Sequence, residues 1–433
     1  MFVSDNIDVN AKGNLTIGGI DCTELAEKYG TPLYVMDEDL LRKNCRRYKS
    51  ALDNFCGGNG LVLYASKSFC CKAMCKIAAE EGFGLDVVSE GELFTALSAN
   101  FPPERIVFHG NNKKYSELVF AVNSNIGAVV VDNLSELETL NGIAEAAGKN
   151  VGIMLRIKPG VDAHTHDFIM TGQIDSKFGF ALETGEAFEA IKAALSCKNL
   201  TLKSLHCHIG SQIFEVDPYE YASAIMLGLM KKVKDELGTE IPGLNLGGGF
   251  GIKYTQNNTP VDYEKHIECV ANAVKNECAK LGLNVPKLYF EPGRSISGPA
   301  GITLYTVGAV KEIPGIRTYV SIDGGMTDNP RYALYGAQYE ISAVKNAASP
   351  RSKTVTVAGK CCESGDLIGK DMQLQEVKPG DLVAVFATGA YNYSMSSNYN
   401  RIPRPPVVMV SGGSSRVVVK GETLEDVIRN DLD

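Results

Sequence analysis

The chain has 433 residues, 44% hydrophobic and 22% charged, with 43 Lys and Arg against 51 Asp and Glu for a formal net charge of -8. That length exceeds the roughly 250–300 residues one hydrophobic core supports, so two domains are expected. The acidic balance and the lack of basic runs argue against nucleic acid or an anionic membrane surface as partner, and no apolar run approaches the roughly 18 residues of a spanning helix.

The first residues lack the basic-then-apolar pattern of a secretory leader, and the 12 cysteines are scattered without a small-scaffold spacing. The expectation is a cytoplasmic protein with reduced thiols. Cys70, Cys71 and Cys75 cluster on a helix-like stretch without a neighbouring His, which is poor zinc spacing, and no metal is expected.

In chain order, 15–20 and 33–36 are strand-like. Short β-branched segments then recur at 61–64, 84–88, 105–108 and 128–131, about 22 residues apart, and continue at 151–157, 202–209, 244–246 and 287–290. Amphipathic stretches such as 89–99, 134–147 and 219–237 fall between them. Eight such units, with no Gly-x-Gly-x-x-Gly after the first strand, predict an α/β fold with a (β/α)8 TIM-like barrel over 36–300 rather than a doubly wound sheet. From about 300 the pattern changes to consecutive β-type runs at 302–310, 319–322, 339–344, 354–358, 382–387 and 406–410, separated by turn sequences such as Lys378-Pro379-Gly380-Asp381. They predict a second, all-β domain, sandwich- or barrel-like, assembled from 1–35 and 301–433.

A barrel carries its chemistry just past the C-terminal ends of its strands. Lys67 follows the first strand; there a lysine can lose its proton by desolvation and attack a carbonyl, although a solvated surface lysine is the plainer reading. After the sixth strand comes His206-Cys207-His208-Ile209-Gly210-Ser211-Gln212. Two histidines two apart share one face, suiting either a metal or an aromatic shelf for a planar cofactor. Gly247-Gly248-Gly249 follows the seventh strand and Glu291-Pro292-Gly293-Arg294 the eighth. Glycine amides there make an anion nest at the usual phosphate position of this fold, and Arg294 adds charge.

With these residues in view, the chain resembles the fold-type III pyridoxal-phosphate decarboxylases, in particular the branch that acts on diaminopimelate. The resemblance is carried by Lys67, by Asp-Ala-His-Thr-His at 162–166, by Lys-Phe-Gly-Phe at 177–180, and by the motifs at 206–212, 247–249 and 291–294. It continues in Cys-Cys-Glu-Ser-Gly-Asp at 361–366 and Gly-Ala-Tyr at 389–391. It implies that Lys67 carries pyridoxal 5'-phosphate covalently and that His208 stacks on its ring. It also implies that Ser211, Gly247, Gly248, Gly249, Arg294 and Tyr391 hold its phosphate and that Glu291 pairs with its ring nitrogen. Related racemases have an arginine at that nitrogen; an anion keeps it protonated and strengthens the electron sink, which suits decarboxylation.

The resemblance further assigns Arg294, Arg331 and Tyr335 to the substrate's distal carboxylate and Glu363 to its distal ammonium, and counts Tyr391 among the substrate-binding residues. That combination selects a substrate whose far end is itself an amino acid, as in meso-2,6-diaminopimelate, with L-lysine and CO2 as products. Cys362 matches a proton donor on a loop that enters the neighbouring subunit's site, which implies a homodimer. Decarboxylation of arginine, ornithine or carboxynorspermidine, or a catalytically silent regulatory homologue, are the alternatives. Ser68-Phe69 after the lysine and Pro330 before Arg331 depart from the family pattern.

Overall fold

Eight short strands rich in Val, Ile and Leu are buried on both faces, the signature of a parallel sheet covered inside and out. They are β1 (Gly60–Ala65), β2 (Gly84–Val87), β3 (Ile106–Phe108), β4 (Ala128–Val131), β5 (Val151–Lys158), β6 (Leu200–His206), β7 (Gly243–Asn245) and β8 (Lys287–Phe290). In this computed structural model, which describes residues 2–160, 176–259 and 261–432, each strand pairs parallel with the next. β8 returns to pair with β1, so the barrel closes and no edge is left open. The eight segments foreseen in the sequence are these eight strands. The 162–166 motif lies outside the described residues.

Helices fill the connections and begin where the sequence supplies a cap. Ser89 accepts from Glu92 N at the start of Glu90–Ser98, and Asn133 from Glu136 N at the start of Leu134–Ala146. Pro218 opens Asp217–Leu237, and Gly238 ends it in the left-handed conformation. Inside the barrel Leu63, Val107, Ala128, Val130, Met154 and Tyr289 form an apolar plug. Above it the character changes. Asp86, His109, Asp132, Arg156, His206, Asn245 and Glu291, from the ends of seven consecutive strands, are all buried.

By contact the chain divides into two units: Asn44–Gly251 with Pro260–Gly293, and Met1–Lys43 with Ile252–Thr259 and Arg294–Asp433. The sequence rhythm puts the barrel at 36–300. The observed boundaries fall inside that range, and 252–259 goes with the second unit, because that segment has no strand or helix period to announce its allegiance.

The second unit is built on a sheet ordered Leu367–Leu374, Lys353–Ala358, Arg317–Ile322, Gly301–Ile313, Leu33–Asp37, Val407–Ser411, Ser414–Val419. Leu33–Asp37 is held antiparallel to Gly301–Ile313 on one side and parallel to Val407–Ser411 on the other, so strands from early and late in the chain share one sheet. Leu367–Leu374 and Ser414–Val419 are additional to the foreseen strands. Ser414–Val419 has no buried residue, and Leu367–Leu374 mixes buried, half-buried and exposed positions, which dilutes the apolar alternation that marks a strand.

Two glycines in the barrel unit make opposite predictions. A Cβ on Gly248 would lie 2.0 Å from the carbonyl oxygen of Glu291, so Gly248→Ala is expected to cost about 3 kcal/mol or more, read as a lowered urea midpoint. Gly142, within Leu134–Ala146, has nothing within 4 Å of its Cβ position, and Gly142→Ala should stabilise by about 1 kcal/mol.

Candidate active site

The barrel mouth is organised around one carboxylate. Glu291, just past β8, is buried; its Oε1 accepts from Asn245 Nδ2 at 2.6 Å and lies 3.0 Å from His109 Nε2, and its Oε2 is 3.1 Å from His206 Nε2. Asp86 Oδ1 stands 3.7 Å from the same His109 Nε2. Burial by itself pushes the Glu291 carboxyl up, but His109 and His206 outweigh it and hold it well below the usual carboxylate range. The two histidines divide the work. For His109, burial disfavours the charge, yet Asp86 and Glu291 together raise its pKa above the ordinary value. For His206 burial wins, and its pKa falls to about 4 in spite of Glu291. Asp86 is pushed up to about 6 by burial, against the pull of His109. The mouth therefore holds a fixed anion, a His109 shifted towards its charged form by Asp86 and Glu291, and a His206 kept neutral by burial.

His109, His206 and Glu291 are of metal-ligating type, with ligand atoms within 4.8 Å of one another. Both histidines are already turned to the carboxylate, so the trio reads as a charge network. His208 is not part of it. Gly248 N donates to His208 Nδ1 at 3.3 Å, which leaves the ring proton on Nε2, and burial followed by Lys67 and Arg156 keeps its pKa well below the ordinary value. Lys67 sits in the turn Ser66–Ser68 after β1 with its side chain exposed. Beside it Ser66 Oγ is 2.6 Å from Glu92 Oε2, which also accepts from Val88 N. The unusual Ser68-Phe69 pair is absorbed structurally: Ser68 Oγ donates to Ala65 O at 2.9 Å, and Phe69 is buried.

Gly247, Gly248 and Gly249 pack backbone against backbone. Cβ atoms on Gly247 and Gly249 would stand 2.6 Å from Cys207 O and 2.4 Å from Gly210 O, and both residues have positive φ. Close approach of the β6, β7 and β8 ends thus requires these glycines, independently of any anion. Ser211 is half-buried on the loop after β6.

The second unit carries a cluster of arginine and tyrosine. Arg331 opens the short helix Arg331–Tyr335, entered through Pro330 at φ -78°. Its guanidinium is buried, with Nη1 donating to Tyr254 Oη at 2.8 Å, and it lies 5.8 Å from the Tyr335 ring centroid and 5.3 Å from that of Tyr391. Arg294 lies 4.7 Å from the same Tyr391 ring. Among the described residues Arg331 has no carboxylate partner, and its buried Nε has no hydrogen-bond acceptor. Cys362 and Glu363 stand apart. Both are exposed on a loop anchored by buried Asp366, whose carboxylate accepts from Cys361 N at 2.7 Å and Met326 N at 2.6 Å. Among the described residues neither Cys362 nor Glu363 bonds to Arg331, Tyr335 or Tyr391.

Comparison with known proteins identifies the family. Residues 38–298 match the family model for the pyridoxal-dependent decarboxylase, pyridoxal binding domain. Diaminopimelate decarboxylase of Bacillus subtilis (strain 168) is 50% identical over 432 residues, covering 100% of this chain and 98% of that protein. That of Mycobacterium tuberculosis (strain H37Rv) is 45% identical over 425 residues, 96% of this chain and 94% of the relative. A crystal structure of diaminopimelate decarboxylase from M. jannaschii in co-complex with L-lysine superimposes with a TM-score of 0.92 at 37% identity, covering 100% and 99% of the two chains. The chain belongs to the diaminopimelate decarboxylase family.

For a diaminopimelate decarboxylase the residues of interest separate into those the sequence flagged and those it did not. Lys67, His208, Gly247 and Glu291 gather at one barrel mouth, and Arg294, Arg331, Tyr335 and Tyr391 in one cluster. Asp86, His109, Asn245 and Tyr254 went unremarked. For the first three a signal existed: each is a polar residue at the end of an apolar strand, where barrels place their working groups. No helix of the described residues is long and apolar enough to cross a membrane.

The neutral His206 makes a testable contribution to acid sensitivity. The unfolded chain takes up a proton near the ordinary pKa of 6.5, whereas the folded chain resists until about 4. Stability associated with this residue is therefore intact above 6.5 and falls as pH is lowered towards 4, at up to about 1.4 kcal/mol per pH unit for one proton. His206→Gln should lose less stability than the unsubstituted protein across that window, as measured by urea unfolding at successive pH values.

Proposed function

We propose that this enzyme converts meso-2,6-diaminopimelate to L-lysine and CO2, with pyridoxal 5'-phosphate as its cofactor. The observation that carries the substrate assignment is the buried Arg331, a cation with no carboxylate partner among the described residues and an unengaged Nε. A buried charge without a counter-ion is costly. A decarboxylase whose substrate ended in an ammonium would gain nothing from it, whereas a distal carboxylate accepts its planar fork of donors.

The cofactor assignment rests on the family and on Glu291. A carboxylate kept ionised deep in the barrel, with one side-chain partner on Oε2 among the described residues, suits a protonated ring nitrogen. An ion pair at about 4 Å is worth roughly 4 kcal/mol at an effective dielectric of ~20. Pyridoxal phosphate supplies the electron sink for the pair left behind by departing CO2. The protein's part is to hold and steer. Lys67, exposed in the turn after β1, is the amine that would hold the cofactor. His208, kept neutral, offers its ring face, and Gly247, Gly248, Gly249, Ser211, Arg294 and Tyr391 take the phosphate. Arg331 and Tyr335, with Arg294 and Tyr391, bind the distal carboxylate.

Glu363 is assigned the distal ammonium, and Cys362 the return of a proton to carbon. Their exposure on a firmly anchored loop supports delivery to the site of a second subunit in a homodimer. All twelve cysteines are free thiols, in keeping with a reducing, cytoplasmic setting.

Borohydride reduction of the holoenzyme followed by peptide mapping should find the cofactor on Lys67; label on another lysine overturns the assignment. Arg331→Ala should lower kcat/KM for meso-diaminopimelate by roughly 100-fold, about 3 kcal/mol, in a CO2-release assay, and unchanged turnover would rule out its carboxylate role. Mixing inactive Lys67→Ala and Cys362→Ala proteins should restore partial activity if each subunit completes its neighbour's site. Mixtures that stay inactive would argue for a site built within one chain.

A further inference from the structure

Tyr254 lies on the 252–259 segment, the piece of chain between two stretches of the barrel that nonetheless belongs with the second unit. Its phenolic oxygen accepts from Arg294 Nη1 at 2.6 Å and from Arg331 Nη1 at 2.8 Å. Its ring centroid is 5.8 Å from one guanidinium carbon and 5.6 Å from the other. Tyr339 braces the ring edge-on, with centroids 5.3 Å apart and planes at 85°.

Two guanidinium groups reaching for one atom repel each other, and the shared acceptor between them offsets that repulsion, with Tyr339 Oη accepting from Arg331 Nη1 as well, at 3.4 Å. The choice of acceptor matters. A carboxylate would bind both arginines more strongly but would neutralise them and compete with an incoming anion. A phenol accepts both N–H groups and lends the face of its ring, leaving the positive field available. The influence runs both ways: burial would raise the phenol's pKa, but Arg294 and Arg331 together lower it. The unengaged Nε of Arg331 is what such a cluster would turn towards a ligand.

We propose that Tyr254 is a positioning residue that fastens Arg294 and Arg331 into a single carboxylate clamp, and thereby sets the enzyme's demand for a carboxylate at the far end of its substrate. This rests on the reading above that Arg331 takes the distal carboxylate.

The test compares holoenzyme with Tyr254→Phe, using meso-diaminopimelate as substrate and two competitive inhibitors: L-lysine, and cadaverine, which is lysine without its carboxylate. KM should rise by roughly tenfold with kcat changed by less than about threefold, the size expected for losing hydrogen bonds to charged groups. Inhibition by L-lysine should weaken by a similar factor, while that by cadaverine stays within about twofold. Unchanged L-lysine inhibition, or equal weakening of both inhibitors, would overturn the positioning role; the second pattern reports a loosened site rather than a lost clamp. Arg331→Ala measured in parallel separates the two levels of the argument. If it weakens L-lysine and Tyr254→Phe does not, the tyrosine's role is wrong and the substrate reading stands. If neither does, the substrate reading itself is wrong and this inference falls with it.

Discussion

A carboxylate kept charged in the interior governs the barrel. Taking an ion of that size out of water costs several kcal/mol even after relaxation, and the cost is offset only by well-placed partners. Glu291 draws them from separate strands: His109 after β3, His206 at the end of β6 and Asn245 at the end of β7, with Asp86 of β2 near the same His109 nitrogen. Such a set can meet at one point only if the sheet is closed, since β3 and β7 lie on opposite sides of an unrolled sheet. Barrel closure and anion stabilisation are thus one requirement. It also explains the glycines at 247–249, which let the neighbouring strand ends approach closely enough for the partners to reach.

The second unit solves the complementary problem of burying cations while keeping them useful. Arg331 is surrounded by phenols and ring faces. Aromatic rings and hydroxyl oxygens stabilise a guanidinium in part and leave its charge unspent. In the barrel the chain instead sets an anion against ring nitrogens, with Glu291 held between His109 and His206. The barrel unit thereby keeps a fixed anion, and the second unit keeps a buried guanidinium, that of Arg331, with no carboxylate partner among the described residues.

Much of this was legible in the sequence because it depends on period and position. The eight strands were visible as apolar runs about 22 residues apart in their first half, and the rule that chemistry follows strand ends located Lys67, His208, Gly247 and Glu291. What escaped depends on partners distant in the chain. Nothing in the residues around His109 says that it lies 3.0 Å from a glutamate 182 positions later. Tyr254 follows a glycine-rich turn and carries no periodicity; its meaning comes from two arginines that the fold delivers to its hydroxyl. Of the two histidines at 206 and 208, spacing could say only that they share a face. The division of labour, one against the carboxylate and one against a glycine amide, needed the packed strands.

The strand Leu33–Asp37 is made early and sits between Gly301–Ile313 and Val407–Ser411. On a ribosome adding roughly 5–20 residues per second, its parallel neighbour emerges on the order of tens of seconds after it does. Throughout that interval an apolar strand, buried along its whole length in the finished protein, has no permanent partner on either side for most of the wait. Unpaired strand edges of this kind are where chains associate wrongly. The polypeptide is therefore most vulnerable during its own synthesis, and the last β-hairpin is the seal that ends the exposure.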